Sequence, residues 1–261
     1  MALTIILIFV GLYYISTTYK EEILYVLGEG DESSDCNRKT EGCQAKKSKD
    51  STFLVLEGKN IKTNFADVVG LEYAKESVKD FILSVKKPER FTKLGIKPPK
   101  AILFHGPPGN GKTLMARALA GESGLNIIAT SGSSFIQKWV GLGARRVREL
   151  FSLARKNKPC LIFIDEFEVL VPNREVMSNE GGNSEYHSTV NQMLSEIDGF
   201  DESTNSGVYL LAATNYLQNI DAAVVRSGRF HKKIYIGQPT NEERAKIFKH
   251  HLKKLSVDPL L

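Results

Sequence analysis

Cysteine is scarce in this sequence, with three in 261 residues, Cys36, Cys43 and Cys160. So low a number excludes a disulfide-stapled scaffold, and the three lack the paired-ligand spacing of a structural zinc site. A strong charge of either sign is also lacking. The 35 basic and 30 acidic residues leave a net charge of +5 that is scattered along the chain, so no nucleic-acid partner is implied. There is no internal repeat, and a composition 42% hydrophobic and 25% charged excludes wholesale disorder, collagen and coiled coil. One large domain, or one with a small appendage, is expected, with its bulk inside the cell.

Charge is missing altogether from Met1 to Tyr19, and Ala2 to Ile15 is dominated by Leu, Ile, Phe, Val and Tyr before Lys20 ends the run. As a helix the segment spans about 28 Å, close to a bilayer core of roughly 30 Å. Tyr13, Tyr14 and Tyr19 suit an interface, and the basic residues all follow the segment. A single-pass anchor is therefore expected over 1–19, with the remainder on the cytoplasmic side or its matrix or stromal equivalent. A signal peptide and a buried apolar helix or strand are the alternatives; the first lacks a basic leading region and a convincing small-residue cleavage site. Residues 20–63 are rich in Lys, Glu, Asp, Ser, Gly and Asn, which reads as a linker. At most a strand or helical turn is expected at each of its apolar patches, Ile23 to Leu27 and Phe53 to Leu56. Cys36 and Cys43 lie in this linker as thiols facing a reducing cytosol, or as a pair if exported.

From Ala101 onward, short continuous apolar runs alternate with helical segments: Ala101 to Phe104, Asn126 to Ala129, Leu161 to Ile164, Val208 to Ala213 and Ile234 to Ile236. Runs without alternation suit strands covered on both faces, so an α/β fold with a five-stranded parallel sheet flanked by helices is expected. In such sheets ligands bind outside the carboxyl ends of the strands.

The first run leads into Gly106-Pro107-Pro108-Gly109-Asn110-Gly111-Lys112-Thr113, the GxxxxGK[ST] spacing of a phosphate loop, with Leu114 following on the next helix. Glycines let backbone N–H groups curl around phosphate oxygens at a helix amino terminus. Lys112 is placed to reach the β and γ phosphates, and Thr113 to ligate Mg2+. The run Leu161 to Ile164 ends in Asp165-Glu166, a pair suited to hold a metal ion and to polarise an attacking water. The run Val208 to Ala213 ends in Thr214-Asn215, an amide where γ phosphate and that water would meet. Alone, such an Asn is more often a turn residue.

These elements resemble the AAA ATPases, and more closely the FtsH family of membrane-anchored ATP-dependent metalloproteases, from about Asn64 to Leu255. Besides the phosphate loop and Asp165-Glu166, the resemblance is carried by Phe65-Ala66-Asp67-Val68-Val69-Gly70, Phe91-Thr92-Lys93-Leu94-Gly95, Ser131-Gly132-Ser133, Val140-Gly141-Leu142-Gly143-Ala144, Asn191-Gln192-Met193-Leu194, Asp198-Gly199-Phe200, Asn215 and Arg226-Ser227-Gly228-Arg229-Phe230. It implies a P-loop ATPase subdomain over 64–238 and the start of a helical lid over 239–261. The cofactors implied are ATP and Mg2+. Asp165 becomes the magnesium-side carboxylate, Glu166 the water-activating base, Asn215 the γ-phosphate sensor, and Val68, Val69 and Gly70 the lining of the adenine pocket. Arg226 and Arg229 become fingers reaching a neighbouring subunit's nucleotide, and Asp198-Gly199-Phe200 resembles the segment that passes nucleotide state between subunits. Trp139-Val140-Gly141 falls where the family grips polypeptide in its central channel, with Trp139 in place of the usual Phe.

The sequence also departs from the family. Ser184-Glu185-Tyr186 stands where an acidic second pore-side loop is common, and Pro172 replaces a common Arg. None of His105, His187, His231, His250 and His251 is followed by Glu, so the HExxH zinc-protease motif is absent and no zinc site is expected. Thr240-Asn241-Glu242-Glu243 resembles a capping box, opening a helix with Ala245, Phe248, Leu252 and Leu255 on one face. The other lid helices have no counterpart, which predicts weakened nucleotide affinity, ring assembly and solubility. The expectation is a membrane-anchored ATPase that remodels or translocates polypeptide in a homo-oligomeric ring, without proteolysis. The alternatives are a subunit that inserts into rings of full-length FtsH-type proteases, or a fragment of such a protease.

Overall fold

The computed structural model describes residues 53, 55–95, 99–136, 141–173, 184–201, 206–226 and 228–252. The expected anchor at 1–19 and two of the three pore-loop residues, Trp139 and Val140, lie outside the described residues. Among the described residues no helix is long and apolar enough to cross a membrane.

In chain order the strands are β1 (Val55–Leu56), β2 (Ala101–His105), β3 (Asn126–Ser131), β4 (Cys160–Asp165), β5 (Val208–Thr214) and β6 (Lys232–Tyr235). They form one sheet in the order β1-β3-β4-β5-β2-β6. The five strands read from the apolar runs pair in parallel. The sheet as a whole is six-stranded and mixed, a correction to the expected five-stranded parallel sheet. The additional strand comes from the Phe53 patch of the segment read as linker. It runs antiparallel to β3, Val55 opposite Ile128 and Leu56 opposite Ile127, while Phe53 stacks on Phe135 with ring centroids 5.8 Å apart. Two residues are too few to leave a periodic signal, and their pairing is set by a partner some seventy positions away. At the other edge β6 starts two residues before the expected run. Only Ile234 of its four residues is buried, so an apolar-run criterion misplaces it.

The helices are α1 (Glu72–Ser77), α2 (Lys79–Lys86), α3 (Pro88–Lys93), α4 (Lys112–Ser123), α5 (Leu142–Lys156), α6 (Phe167–Leu170), α7 (Ser184–Asp198) and α8 (Asn241–Leu252). Strand residues alternate between two apolar clusters. Leu103, Ile162, Ile164 and Leu210 face Val147, Leu150 and Phe151 of α5 and Met193 and Ile197 of α7. Ile102, Phe104, Phe163 and Leu211 face Met115 and Leu119 of α4 and Phe81 of α2. Both faces are buried, which is why the strands read as continuous runs; each fully buried large side chain contributes about 1.5–3 kcal/mol. On the α5 face, Arg155 pairs with Glu196 of α7 at 2.9 Å. Helix α4, rich in Ala and Leu, stops at Gly124, whose left-handed backbone (φ 70°) turns its N–H onto the Ala120 carbonyl at 3.0 Å.

Candidate functional site

The carboxyl ends of β2, β4 and β5 lie side by side in the sheet, with His105 opposite Thr214 across β2 and β5 and Ser131 opposite Asp165 across β3 and β4. The chain leaves β2 through Gly106, whose φ is 146° and where a Cβ would stand 2.1 Å from the Ile236 carbonyl oxygen. Only glycine lets the loop begin so close to the exit of β6. Gly111 (φ 86°) then turns the chain into α4, while Pro108 and Gly109 are exposed at the tip and Pro107 and Asn110 are half-buried. The Lys112 side chain folds back into the loop. Its Nζ donates to the carbonyls of Gly106 and Pro107, each at 2.8 Å. Burial pulls its pKa down, against the opposing pull of the Asp165 and Glu168 carboxylates. Leu114 is partly exposed on the first turn of α4.

Thr113 Oγ1 donates to Asp165 Oδ2 at 2.6 Å, joining the start of α4 to the end of β4. The other oxygen of Asp165, Oδ1, accepts the Glu166 N–H at 2.9 Å. Glu166 has left-handed backbone angles, φ 49° and ψ 47°, a conformation that disfavours a residue with a Cβ by about 1–2 kcal/mol. Its Oε2 accepts from Ser131 Oγ at 3.0 Å, and Ser131 Oγ in turn lies 2.9 Å from Ser133 Oγ and accepts the Ser133 N–H at 3.3 Å. The strained turn is thus held by its own backbone bond and by a serine presented from the adjacent strand.

The Asn215 N–H donates to Glu168 Oε1 at 3.3 Å, while Glu168 Oε2 is buried with no hydrogen-bond partner among the described residues. Two carboxylates, Asp165 and Glu168, therefore act on the charge of Lys112. An unmatched buried acceptor beside a buried ammonium suits a site that receives a further cation or donor. The donor set is oxygen-rich, with Thr113 and Asp165 as hard ligands of the kind Mg2+ takes, and the residues present fit a magnesium nucleotide. His105 lies against Tyr235, ring centroids 5.4 Å apart. Burial first, then Lys233 and Lys112, push its pKa down, so it adds no charge beside the loop at neutral pH.

Ser131 and Glu168 had no assigned role in the sequence. The Ser131 side chain is recognisable only through the β3–β4 register, whereas Glu168 offered a weak signal, an acid two residues beyond Glu166. Ser131→Ala removes one acceptor and one donor from a nearly buried position and is expected to lower stability by about 1 kcal/mol. A urea unfolding curve with an unchanged midpoint would show that the Ser131–Glu166 bond contributes nothing.

The remaining sites separate. Val68 is buried in the α4-side cluster, while Val69 and Gly70 are half-buried. Gly141 caps α5 with φ 86°. Arg226 is exposed. Arg229, by contrast, is held within its own chain: its Nε and Nη2 donate to the two oxygens of Asp198 at 2.7 and 2.8 Å, and Nη1 donates to the Ala223 carbonyl. The hydrogen bond from Arg229 holds the Asp198 carboxyl below the usual carboxylate range. The pair therefore favours the folded state at neutral pH, and that contribution fades as pH drops below the ordinary carboxylate pKa and through the lowered one. Phe200, just beyond, is buried against Phe151.

Residues 102–238 match the ATPase family associated with various cellular activities (AAA). The chain is 45% identical over 201 residues to the ATP-dependent zinc metalloprotease FtsH 2 of Bdellovibrio bacteriovorus, covering 77% of this chain and 32% of that protein. It is 46% identical over 212 residues to the mouse mitochondrial inner membrane m-AAA protease component AFG3L2, covering 81% of this chain and 26% of that one. The chain thus spans between a quarter and a third of the length of these curated relatives. With a family match over more than half of its residues, and a phosphate loop, Asp165-Glu166 and Asn215 gathered at one end of a largely parallel sheet, the chain belongs to the AAA ATPases, homologous to the ATPase modules of FtsH-type proteases.

Proposed function

We propose that the protein is a membrane-anchored AAA ATPase that hydrolyses Mg-ATP to remodel or translocate polypeptide, without metalloprotease activity of its own. The observation that carries this reading is the convergence of Lys112, Thr113, Asp165, Glu166 and Asn215 at three adjacent strand ends, with Thr113 and Asp165 in contact at 2.6 Å. When bound, Mg-ATP would supply the γ-phosphoryl group and a metal ion that offsets the charge of the phosphates. Thr113 and Asp165 would hold the metal ion. Lys112 would exchange its loop carbonyls for phosphate oxygens, and Gly106 before the two prolines and Gly109, Asn110 and Gly111 after them would offer backbone N–H groups.

Glu166 Oε2 is occupied by the Ser131 hydroxyl, which directs Oε1 toward a water and lets it take the proton as the water attacks. Asn215 orients that water, its backbone fixed by Glu168. Val68, Val69 and Gly70 wall the adenine side, Arg226 and Arg229 reach the nucleotide of the next subunit in a ring, and Trp139, Val140 and Gly141 grip polypeptide. Residues 1–19 form the anchor, 20–63 the linker, 64–238 the ATPase subdomain and 239–261 the start of the lid. A second reading, a subunit that works within rings of full-length FtsH-type relatives, is favoured by the exposure of Phe248 and Leu252 on α8.

The test is nucleotide binding and phosphate release by the 261-residue chain. Lys112→Ala is expected to weaken Mg-ATP binding about a hundredfold, since charge-assisted bonds to phosphate are lost from a buried position. Undiminished binding by that variant, or no phosphate release by the unmutated chain at any concentration, would overturn the enzyme reading.

A further inference from the structure

Helix α8 buries none of its residues among those described, so apolar packing does not fix its direction. A polar tie does. Glu243, in its first turn, has one oxygen turned inward on its own helix: Oε2 accepts the Thr240 N–H at 2.8 Å, while Thr240 Oγ1 accepts the Glu243 N–H at 3.2 Å, a reciprocal capping box. The other oxygen, Oε1, reaches across the fold and accepts the Leu71 N–H at 3.0 Å, 172 positions away in sequence.

The turn that it grips is unusual. Gly70 and Leu71 both have positive φ, 76° and 56°, and among the described residues Leu71 and Glu166 are the two non-glycine residues with that backbone. A Cβ on Gly70 would stand 2.7 Å from Glu243 Oε1, so the carboxylate lies on the bare face of the glycine. Bonds from the Thr240 and Leu71 backbones hold the Glu243 carboxyl below its usual range, so it is ionised at neutral pH and accepts both bonds as an anion.

We infer that Glu243 is a positioning residue for the nucleotide pocket: its carboxylate clasps the Gly70–Leu71 turn to the first turn of α8, so that the base-side wall and the helix move as one body. The inference rests on the reading of Val68, Val69 and Gly70 as the adenine wall. Leucine keeps its left-handed backbone because the clasp satisfies its N–H there, and the wall's position follows from that backbone. Base binding and the orientation of α8 are then coupled through one side chain, whereas the phosphate loop is held independently by α4 and β2.

The experiment compares ATP with inorganic tripolyphosphate, which carries the phosphates and no base, on the full chain. Glu243→Ala is expected to bind ATP about tenfold more weakly, the scale of a lost charge-assisted bond, with tripolyphosphate affinity unchanged. Thr240→Ala removes the hydroxyl half of the capping box and leaves the clasp, so it is expected to bind both ligands as the unmutated chain does. Amide hydrogen exchange supplies the structural readout: ATP should slow exchange at Leu71 and through the first turn of α8 in the unmutated chain, and not in Glu243→Ala. Equal ATP affinity with and without Glu243, equal losses for both ligands, or an equal effect of Thr240→Ala would each overturn the clasp. An unmutated chain that binds neither ligand would instead overturn the nucleotide reading beneath it.

Discussion

Replacing Glu166 with glutamine is expected to stop phosphate release while leaving Mg-ATP bound. Glutamine has the same shape and keeps an amide oxygen to accept from Ser131 Oγ, which now bonds Glu166 Oε2 at 3.0 Å. Its backbone N–H still reaches Asp165 Oδ1, the bond that holds the left-handed turn. What is lost is the second carboxylate oxygen's ability to take a proton from water, and a positioned general base is worth about 10² to 10⁴ in rate. Lys112, Thr113 and Asp165 are untouched, so affinity should hold within about threefold, less than one hydrogen bond's worth. Single-turnover phosphate release beside equilibrium ATP binding separates the two quantities. A Glu166→Gln variant retaining more than about a tenth of the turnover would remove Glu166 as the base.

Arg226→Ala is expected to reduce turnover by about 10³ or more, with each chain still binding ATP, because an arginine supplied to a neighbour acts on the transition state rather than on ground-state binding. The two candidate fingers are not equivalent. Arg226 is exposed, while Arg229 makes a two-pronged pair with Asp198 and a further bond to the Ala223 carbonyl. To act in a neighbour, Arg229 has first to leave Asp198.

Mixing provides the decisive measurement. Glu166→Gln chains lack the base but carry a finger, and Arg226→Ala chains lack the finger but carry a base. Neither should turn over alone, and in an evenly mixed ring about a quarter of the interfaces join an intact finger to an intact base. Recovery of activity on mixing is the expected result. Failure to recover, with both chains co-assembled, would place Arg226 in its own subunit or outside the site altogether.

The parts of this fold legible in the sequence are those whose physics is local. A strand covered on both faces needs apolar residues at every position, and β2, β4 and β5 announce themselves because Leu103 and Phe104, or Ile162 and Phe163, must fill different clusters. A phosphate loop needs glycines at fixed offsets. Edge strands escape the same test: β1 has two residues, and β6 buries only Ile234, so the apolar run starts two residues after the strand does. That Lys112 and Thr113 follow β2, Asp165 and Glu166 stand at the end of β4, and Asn215 follows β5 was legible from motif and strand end alone.

Residue type and spacing by themselves determined that this chain makes an α/β sheet with a phosphate loop, and which side chains stand at its strand ends. Which groups those side chains touch was decided by the tertiary structure. Ser131 meets Glu166 because β3 and β4 pair in one register, Asp198 takes Arg229 from across 31 positions, and Glu243 takes Leu71 from across 172. Chemical capacity is a property of one residue and its near neighbours, whereas a partner is chosen by the path of the backbone between them. In the sequence Asp198 belonged to a segment resembling the one that passes nucleotide state and Glu243 to a capping box, and only packing made one the partner of an arginine and the other the clasp of a strained turn.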